Sequence, residues 1–174
     1  MGEVSQIAQR AREEADVYRA DNPRPLSGYL AALGVYGSVV TLATVIAAAT
    51  DRRLPARWSV QDLVTVTLGT QKLSRIVSKS SVTSPLRAPF AQYRGTGGPS
   101  EVQEETRNSS QLRHSLGELL TCPFCLDVWV GTAFVIGLIF APRLTRLIAG
   151  SFASLAGADF LQLAYAMAQQ AAEH

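Results

Sequence analysis

The feature that most constrains this chain is a run of 23 residues, from Gly28 to Thr50, without one charged side chain. A helix of that length rises about 35 Å, and the hydrocarbon core of a bilayer is about 30 Å thick. The run is therefore long and apolar enough to cross a membrane as a single helix. It indicates an integral membrane protein of the all-α class.

Average composition hides this character because polar and apolar residues occupy different parts of the chain. Of the 174 residues, 47% are hydrophobic, and the mean hydropathy is only +0.11. Polar residues dominate 1–27 and 94–114, and apolar residues gather between these segments. The length fits one domain. A net charge of +2 is too small to indicate nucleic-acid binding, so we expect the lipid bilayer to be the main partner.

Residues 1–27 are predicted to form a polar N-terminal arm that contains an amphipathic helix. Apolar residues recur at helical spacing from Val4 to Tyr18, and charged residues occupy the opposite face. This stretch is too polar to cross a membrane. We expect it to lie on the membrane surface or against a partner helix, with a frayed polar tail as the alternative. Asn22 and Pro23 are predicted to end the helix.

Three further apolar stretches follow the first one, which gives about four transmembrane helices. The second stretch is the weakest because it carries Lys72, Arg75 and Lys79 on one helical face. We expect these cations to reach lipid headgroups from the cytoplasmic end of the span, since a charge deep in lipid costs several kcal/mol. The predicted spans after the first are about 60–82, 123–141 and 147–168.

These spans define a membrane domain from 28 to 168, followed by a short tail at 169–174. A cytoplasmic loop at about 83–121 separates the second span from the third. Within it, Gly95 to Ser100 is predicted to be a flexible linker because it is rich in Gly and contains Pro. Glu101 to Ser110 is polar and is predicted to be mobile.

Small residues recur at four-residue steps in the last two predicted spans. Such stripes let helix backbones approach closely in lipid. Because only a short turn joins these two spans, we expect them to pack as an antiparallel pair. The residues are Ala133, Gly137 and Ala141 in the third span and Ala149, Ala153 and Gly157 in the fourth.

The basic residues are divided unequally between the two sides of the membrane. With four spans, the N-terminal arm and the long loop share one side. Eleven of the 16 Lys and Arg residues lie in the arm or between Lys72 and Arg113, and five lie in the two turns. Positive charge is retained in the cytoplasm. The distribution predicts a multi-pass protein of the cytoplasmic (inner) membrane with both termini inside.

A pair of cysteines, Cys122 and Cys125, flanks Pro123 at the start of the third span. Proline suits the first position of a helix, which makes Cys122 the expected cap and places Cys125 in the first turn. Unpaired backbone N–H groups and the helix dipole would then face the sulfurs. This setting favours thiolates over thiols.

Three interpretations of this pair are open. The first is thiol redox chemistry. The second is half of a metal site, because zinc takes about four ligands and the chain offers the two cysteines and His114 at best. A homo-oligomer that shared zinc or iron between copies would supply the missing ligands. The third is a structural role for two small side chains at the start of a helix.

Two carboxylates in the predicted spans are weaker candidates. Asp127 lies one turn beyond the cysteines and is expected either to orient a ligand or to add negative charge at the helix start. Asp159 lies within the fourth span, where an ionisable group is a functional hint. It also fits a helix that approaches the interface, or a carboxylate that bonds to Arg or Thr of a neighbouring helix.

Catalytic constellations do not stand out in the sequence. It contains no Gly-rich phosphate loop, no pair of catalytic carboxylates and no Ser-His-Asp set that we recognise. We therefore leave an enzymatic activity open and favour a non-enzymatic protein.

The chain resembles a bacterial membrane family known as domain of unknown function 1360. The resemblance covers roughly residues 60 to 140 and implies a small multi-span protein. The family has no established activity, so the resemblance draws interest to Arg75, Arg87, Glu118 and the two cysteines without assigning them roles. The matching blocks are KLSRIV at 72–77, VTSPLRAPF at 82–90 and GELLTCPFCLDVW at 117–129.

The sequence favours a scaffold or accessory subunit of a membrane assembly, oligomeric, with the loop and the arm as contact surfaces. Arg75 and Arg87 are expected to hold anionic headgroups or the carboxylate of Glu118. Cys122 and Cys125 are expected to stiffen the start of the third span or to share a metal between subunits. The alternative is a membrane thiol-disulfide oxidoreductase or a metal-handling protein that uses both cysteines.

Overall fold

The computed structural model describes residues 2–20, 24–52, 54–55, 57–107 and 110–173. The described part is mostly helical, with one two-stranded sheet. In chain order the elements are α1 (Glu3–Arg19), α2 (Leu26–Ala49), α3 (Val60–Lys79), a 3-10 turn (Ser81–Thr83), α4 (Ser84–Arg87), β1 (Ala91–Thr96), β2 (Val102–Thr106), α5 (Gln111–Thr121), α6 (Pro123–Phe140) and α7 (Pro142–Ala172).

Within the described ranges, three helices are long and apolar enough to cross a membrane: α2, α6 and α7. They correspond to the first, third and fourth predicted spans. α7 is longer than predicted because Pro142 takes the first helical position directly after α6, and the helix then runs for 31 residues, a rise of about 46 Å. It extends through most of the predicted tail, of which His174 lies outside the described residues.

α3 coincides with the second predicted span but is not among these three helices. It has 20 residues, enough to cross a hydrocarbon core of about 30 Å. Its composition is more polar because it carries one acidic and three basic side chains. These are Asp62, Lys72, Arg75 and Lys79.

α3 packs mainly against α7, and the two helices run in the same direction. Asp62 near the start of α3 pairs with Arg146 near the start of α7, with nitrogen-oxygen distances of 2.7 and 2.9 Å. Further along both helices, Lys72 pairs with Asp159. Between these pairs the backbones approach closely, since a Cβ on Gly69 would lie 2.8 Å from the carbonyl oxygen of an α7 residue.

α2 and α6 run in the opposite direction to α3 and α7. Tyr29 near the start of α2 contacts Glu118 in α5, just before α6 begins. One to two turns later, the hydroxyl of Tyr36 lies 2.9 Å from that of Thr132 in α6, and its ring packs edge-on against Trp129. The four long helices therefore alternate in direction along the chain.

The predicted antiparallel pair of α6 and α7 is present, and small residues line its contacts. Gly137 lies against Thr145 across the turn. Ala149 is completely buried and lies against Gly69 of α3. Ala149 thus packs on a helix that the sequence pattern did not indicate, whereas the Cβ position of Gly157 has open space around it.

The predicted flexible linker and mobile segment are corrected by the structure, since most of both form a β-hairpin. β1 and β2 pair antiparallel from Ala91↔Thr106 to Thr96↔Val102, with a register shift between Tyr93 and Gly95. The N–H of Gly97 closes the turn by donating to the carbonyl of Glu101 at 2.8 Å. Residues 108 and 109 of the predicted mobile segment lie outside the described residues.

α5 joins the hairpin to the helices. It packs on β2, on the first turns of α2 and on α6. Gly117 lies against Thr106 of β2 and against the carbonyl of Phe90, where a side chain would not fit. His114, which falls within the predicted cytoplasmic loop at about 83–121, lies in α5.

α1 is a helix from Glu3 to Arg19, and the side chains that are described from Ser5 onward are mostly exposed. Asn22 and Pro23, which we predicted to end it, lie outside the described residues.

Candidate functional site

The most enclosed charged side chain of the described residues is that of Arg87, at the end of α4. It is 0% exposed and pairs with Glu104 of β2, whose side chain is 6% exposed. The guanidinium makes two contacts with the carboxylate: Nε lies 2.5 Å from Oε2 and Nη2 lies 3.3 Å from Oε1. Both charges are removed from water, so each depends on the other for compensation.

The same guanidinium also closes the end of α3. Its Nη1 donates to the carbonyl of Val77 at 2.5 Å, and its Nη2 donates to the carbonyl of Ser80 at 2.9 Å. These carbonyls have lost their helical partners, and a cation at a helix C-terminus interacts favourably with the helix dipole. Two hydroxyls, those of Thr83 and Ser84, accept further hydrogen bonds from Arg87.

We call this arrangement the Arg87 junction: Arg87, Glu104 and the carbonyls of Val77 and Ser80. It ties three elements together, namely α3, α4 and the hairpin. We expected Arg87 to hold headgroups or Glu118, and the structure instead places it with Glu104. Sequence reasoning missed Glu104 because it lies in a strand that reads as a polar loop.

Arg75 lies in α3, on the N-terminal side of this junction, and pairs with Glu101 at the hairpin turn. The pair is bidentate, with nitrogen-oxygen distances of 2.6 to 3.0 Å. Glu101 also forms an isolated bridge with Ser80. The hairpin is therefore attached to α3 by the Arg75–Glu101 pair and, through the Arg87 junction, by the Arg87–Glu104 pair. The Arg75 pair is the more exposed of the two.

The three cations on one face of α3 have three different environments. Arg75 pairs with Glu101, and Lys72 pairs with Asp159 of α7. Lys79 is half-buried and forms no ion pair within the described part of the chain.

Glu118 of α5 connects with the beginning of α2. Its carboxylate accepts a hydrogen bond from the hydroxyl of Tyr29 and lies 3.6 Å from Nη1 of Arg24. His114, one turn earlier in α5, has its Nε2 at 3.5 Å from the same carboxylate.

Cys122 lies between α5 and α6, where it is both the C-cap of α5 and the N-cap of α6. Its N–H donates to the carbonyl of Glu118 at 3.1 Å, which ends α5. Its sulfur accepts from the N–H of Cys125 at 3.2 Å, which caps α6, and Pro123 takes the first helical position as its spacing predicts.

The two cysteines form a disulfide, with their Cα atoms 5.3 Å apart. Their surroundings differ, because Cys122 is half-buried and Cys125 is exposed. Phe124 between them is 82% exposed. The Cys125 side of the disulfide is therefore the side that other described residues leave uncovered.

The described residues contain no group of three or more His, Cys, Asp or Glu side chains that is close enough to hold a metal ion. His114 is accordingly not brought to the cysteines, and its carboxylate neighbour is Glu118. Asp127 has one oxygen that is buried and accepts no hydrogen bond from the described residues.

The chain matches the family described as a protein of unknown function (DUF1360) over residues 65–165, more than half of its length. No curated protein and no solved structure matches it. The matched range includes Arg75, Arg87, Glu104, Glu118 and the cysteine pair. The resemblance seen in the sequence is confirmed: this protein belongs to the DUF1360 family.

Proposed function

We propose that this protein is a scaffold or accessory subunit of a membrane assembly, which presents a rigid platform on one side of the membrane. The platform consists of residues 80–107 and 110–121, namely the hairpin and α5 with the turns before the hairpin. The observation that carries the proposal is the complete burial of Arg87 against Glu104. A segment that only connects two spans gains nothing from a costly buried ion pair, whereas a docking surface gains a fixed shape.

α3 would also cross the membrane, which brings the number of spans to four, and its neighbours would shield it from lipid. Ionisable residues in membranes are tolerated where they face other helices and pair with one another. Asp62 and Lys72 both pair with residues of α7, and α3 also packs on α6. The alternating directions of α2, α3, α6 and α7 support the same topology.

Four spans would place both termini and the platform on one side. The excess of basic residues in the arm and the platform supports the cytoplasmic side of an inner membrane. α1 would lie on the membrane surface as an amphipathic helix. Lys79, at the platform end of α3, is the cation best suited to contact a lipid headgroup.

In-cell photo-crosslinking tests the scaffold proposal. A photoreactive amino acid in place of Tyr93, which is 63% exposed on β1, should yield a discrete adduct with another protein. The matched control is Leu42, 60% exposed on α2, where lipid should be the main neighbour. Adding Arg87→Met should abolish the Tyr93 adduct because the platform loses its shape. Absence of any adduct from Tyr93 at normal expression would refute a docking role for this face.

A homo-oligomer that shares zinc or iron through Cys122 and Cys125 is part of the same proposal. Both sulfurs would first have to be reduced, because metal ligation requires thiolates. Metal analysis of anaerobically purified protein should then give one ion per two chains. A metal content that is unchanged in Cys122→Ser/Cys125→Ser would contradict the shared site.

A thiol-disulfide oxidoreductase is the second candidate, favoured by the disulfide between Cys122 and the exposed Cys125. Two-electron exchange at this pair needs only a partner dithiol or disulfide. Thiol titration of the folded protein should show reduction by dithiothreitol and reoxidation by glutathione disulfide. A disulfide that is reduced only after unfolding would be structural and would exclude this candidate.

A further inference from the structure

We propose that the two cysteines have fixed and unequal roles in thiol-disulfide exchange: Cys125 carries the bond to the partner, and Cys122 is the leaving and resolving sulfur. This inference rests on the oxidoreductase candidate and deepens it. It names the substrate class as a thiol or disulfide of a molecule that reaches the membrane surface at the start of α6.

The first reason is access. Exchange requires an in-line approach of a thiolate to one sulfur of the disulfide, so the accessible sulfur is the one attacked. Cys125 is exposed and Cys122 is half-buried. Phe124, 82% exposed beside them, offers an apolar contact for the partner.

The second reason is the stability of the leaving sulfur. Cys122 caps α6, and its sulfur accepts the N–H of Cys125 at 3.2 Å. A negative charge at a helix N-terminus is stabilised by the unpaired N–H groups and by the dipole of the 18-residue helix. A sulfur that is more stable as a thiolate leaves faster. The cap therefore favours departure of Cys122 over departure of Cys125.

The exchange balances in atoms and electrons. A partner thiolate attacks Sγ of Cys125, the bond between the two cysteines breaks, and its electron pair leaves on Cys122. A second partner thiolate then attacks the partner sulfur of the mixed disulfide and releases Cys125 as a thiolate. Two electrons pass from the partner dithiol to the cysteine pair. In reverse, Cys125 attacks a partner disulfide and Cys122 resolves the mixed disulfide.

Single-cysteine variants of the full chain in detergent test this assignment with glutathione disulfide as the probe. At a pH high enough to ionise both thiols, so that access rather than thiolate stability decides the rate, Cys122→Ser should accumulate a stable glutathione adduct at Cys125 at least tenfold faster than Cys125→Ser does at Cys122. Intact mass spectrometry measures both rates. Equal rates, or faster reaction of Cys122, would overturn the assignment.

A second measurement avoids mutation altogether, in case a serine variant does not fold. Wild-type protein is treated with limiting glutathione and rapidly alkylated, and the trapped mixed disulfide is located by peptide mass spectrometry. Glutathione on Cys125 supports the assignment, and glutathione on Cys122 overturns it. The two proposals fail separately: a wild-type disulfide that resists reduction in the folded state removes the oxidoreductase candidate, whereas a reducible disulfide with the adduct on Cys122 removes only the assignment.

Discussion

Arg87 shows how one side chain can join three elements of this protein. Its guanidinium neutralises Glu104, closes the last turn of α3 and binds the hydroxyl of Thr83. Lysine cannot replace it, because a single ammonium cannot make the planar set of contacts that the guanidinium makes. The residue lies in the family motif at 82–90, but its partner is recognisable only in the folded structure.

We predict that Arg87→Met destabilises the protein severely. The variant leaves the carboxylate of Glu104 buried without a partner, and breaking a buried pair in this way costs about 3–5 kcal/mol. The matched control is Arg94→Met, since Arg94 pairs with Glu105 in the same hairpin with both side chains more than half exposed. Exposed pairs contribute about 0–1 kcal/mol.

Thermal unfolding in detergent, followed by circular dichroism, measures both variants. A large loss of stability for Arg87→Met with little change for Arg94→Met is the expected result. Equal effects of the two substitutions would show that burial of Arg87 is not what holds the hairpin in place.

At the scale of elements, the apolar helices were predictable and the hairpin was not. α2, α6 and α7 follow from long apolar runs, which have few alternatives in a membrane. The strands AQYRGT and VQEET lack the alternating apolar pattern that predicts a strand. They are held by the Arg87 junction and by α5, which are contacts distant in sequence. Local pattern therefore indicated a linker where tertiary contacts form a sheet.

Like the hairpin, α3 depends on tertiary contacts with its neighbours rather than on its local sequence pattern. Its polar residues are accommodated because α7 supplies their opposite charges. We predict that Lys72→Asp and Asp159→Lys each destabilise the bundle and that the double variant recovers much of the loss. An unpaired charge near the middle of a membrane helix costs about 2.5–3.5 kcal/mol.

Resistance to unfolding in detergent, measured for the two single variants and the double variant, gives the coupling between these residues. Lys79→Asp serves as the control, since Lys79 has no ion-pair partner within the described ranges. Additive losses in the double variant would mean that the Lys72–Asp159 pair does not hold α3 to α7.

Close packing of α3 on α7 gives a separate prediction. A Cβ on Gly69 would lie 2.8 Å from the carbonyl oxygen of Ala149, so Gly69→Ala should force the helices apart and cost about 1–3 kcal/mol. Gly150, the residue after Ala149 in α7, has open space around its Cβ position. Gly150→Ala should be neutral or stabilise the helix by up to about 1 kcal/mol.

Thermal denaturation of both alanine variants in detergent measures their stabilities relative to the wild-type protein. If Gly69→Ala is as stable as Gly150→Ala, the close approach of α3 and α7 is not important for stability.

For the whole molecule, the account joins a bundle of helices that alternate in direction to a platform at one end. The pairing of the α3 charges with α7 and the placement of the platform on the same side as the N-terminal arm have their proposed meaning only if α3 crosses the membrane. If α3 lay on the surface, the platform and the N-terminal arm would face opposite sides.

Labelling with an impermeant thiol reagent in intact cells tests this most directly. In a Cys122→Ser/Cys125→Ser background, single cysteines are placed at Ser5 in α1, Gly98 in the hairpin turn and Arg57 before α3. We predict that Arg57→Cys is labelled from outside, whereas Ser5→Cys and Gly98→Cys are labelled only after the cells are permeabilised. Labelling of Gly98→Cys and Ser5→Cys from opposite sides would contradict the four-span account.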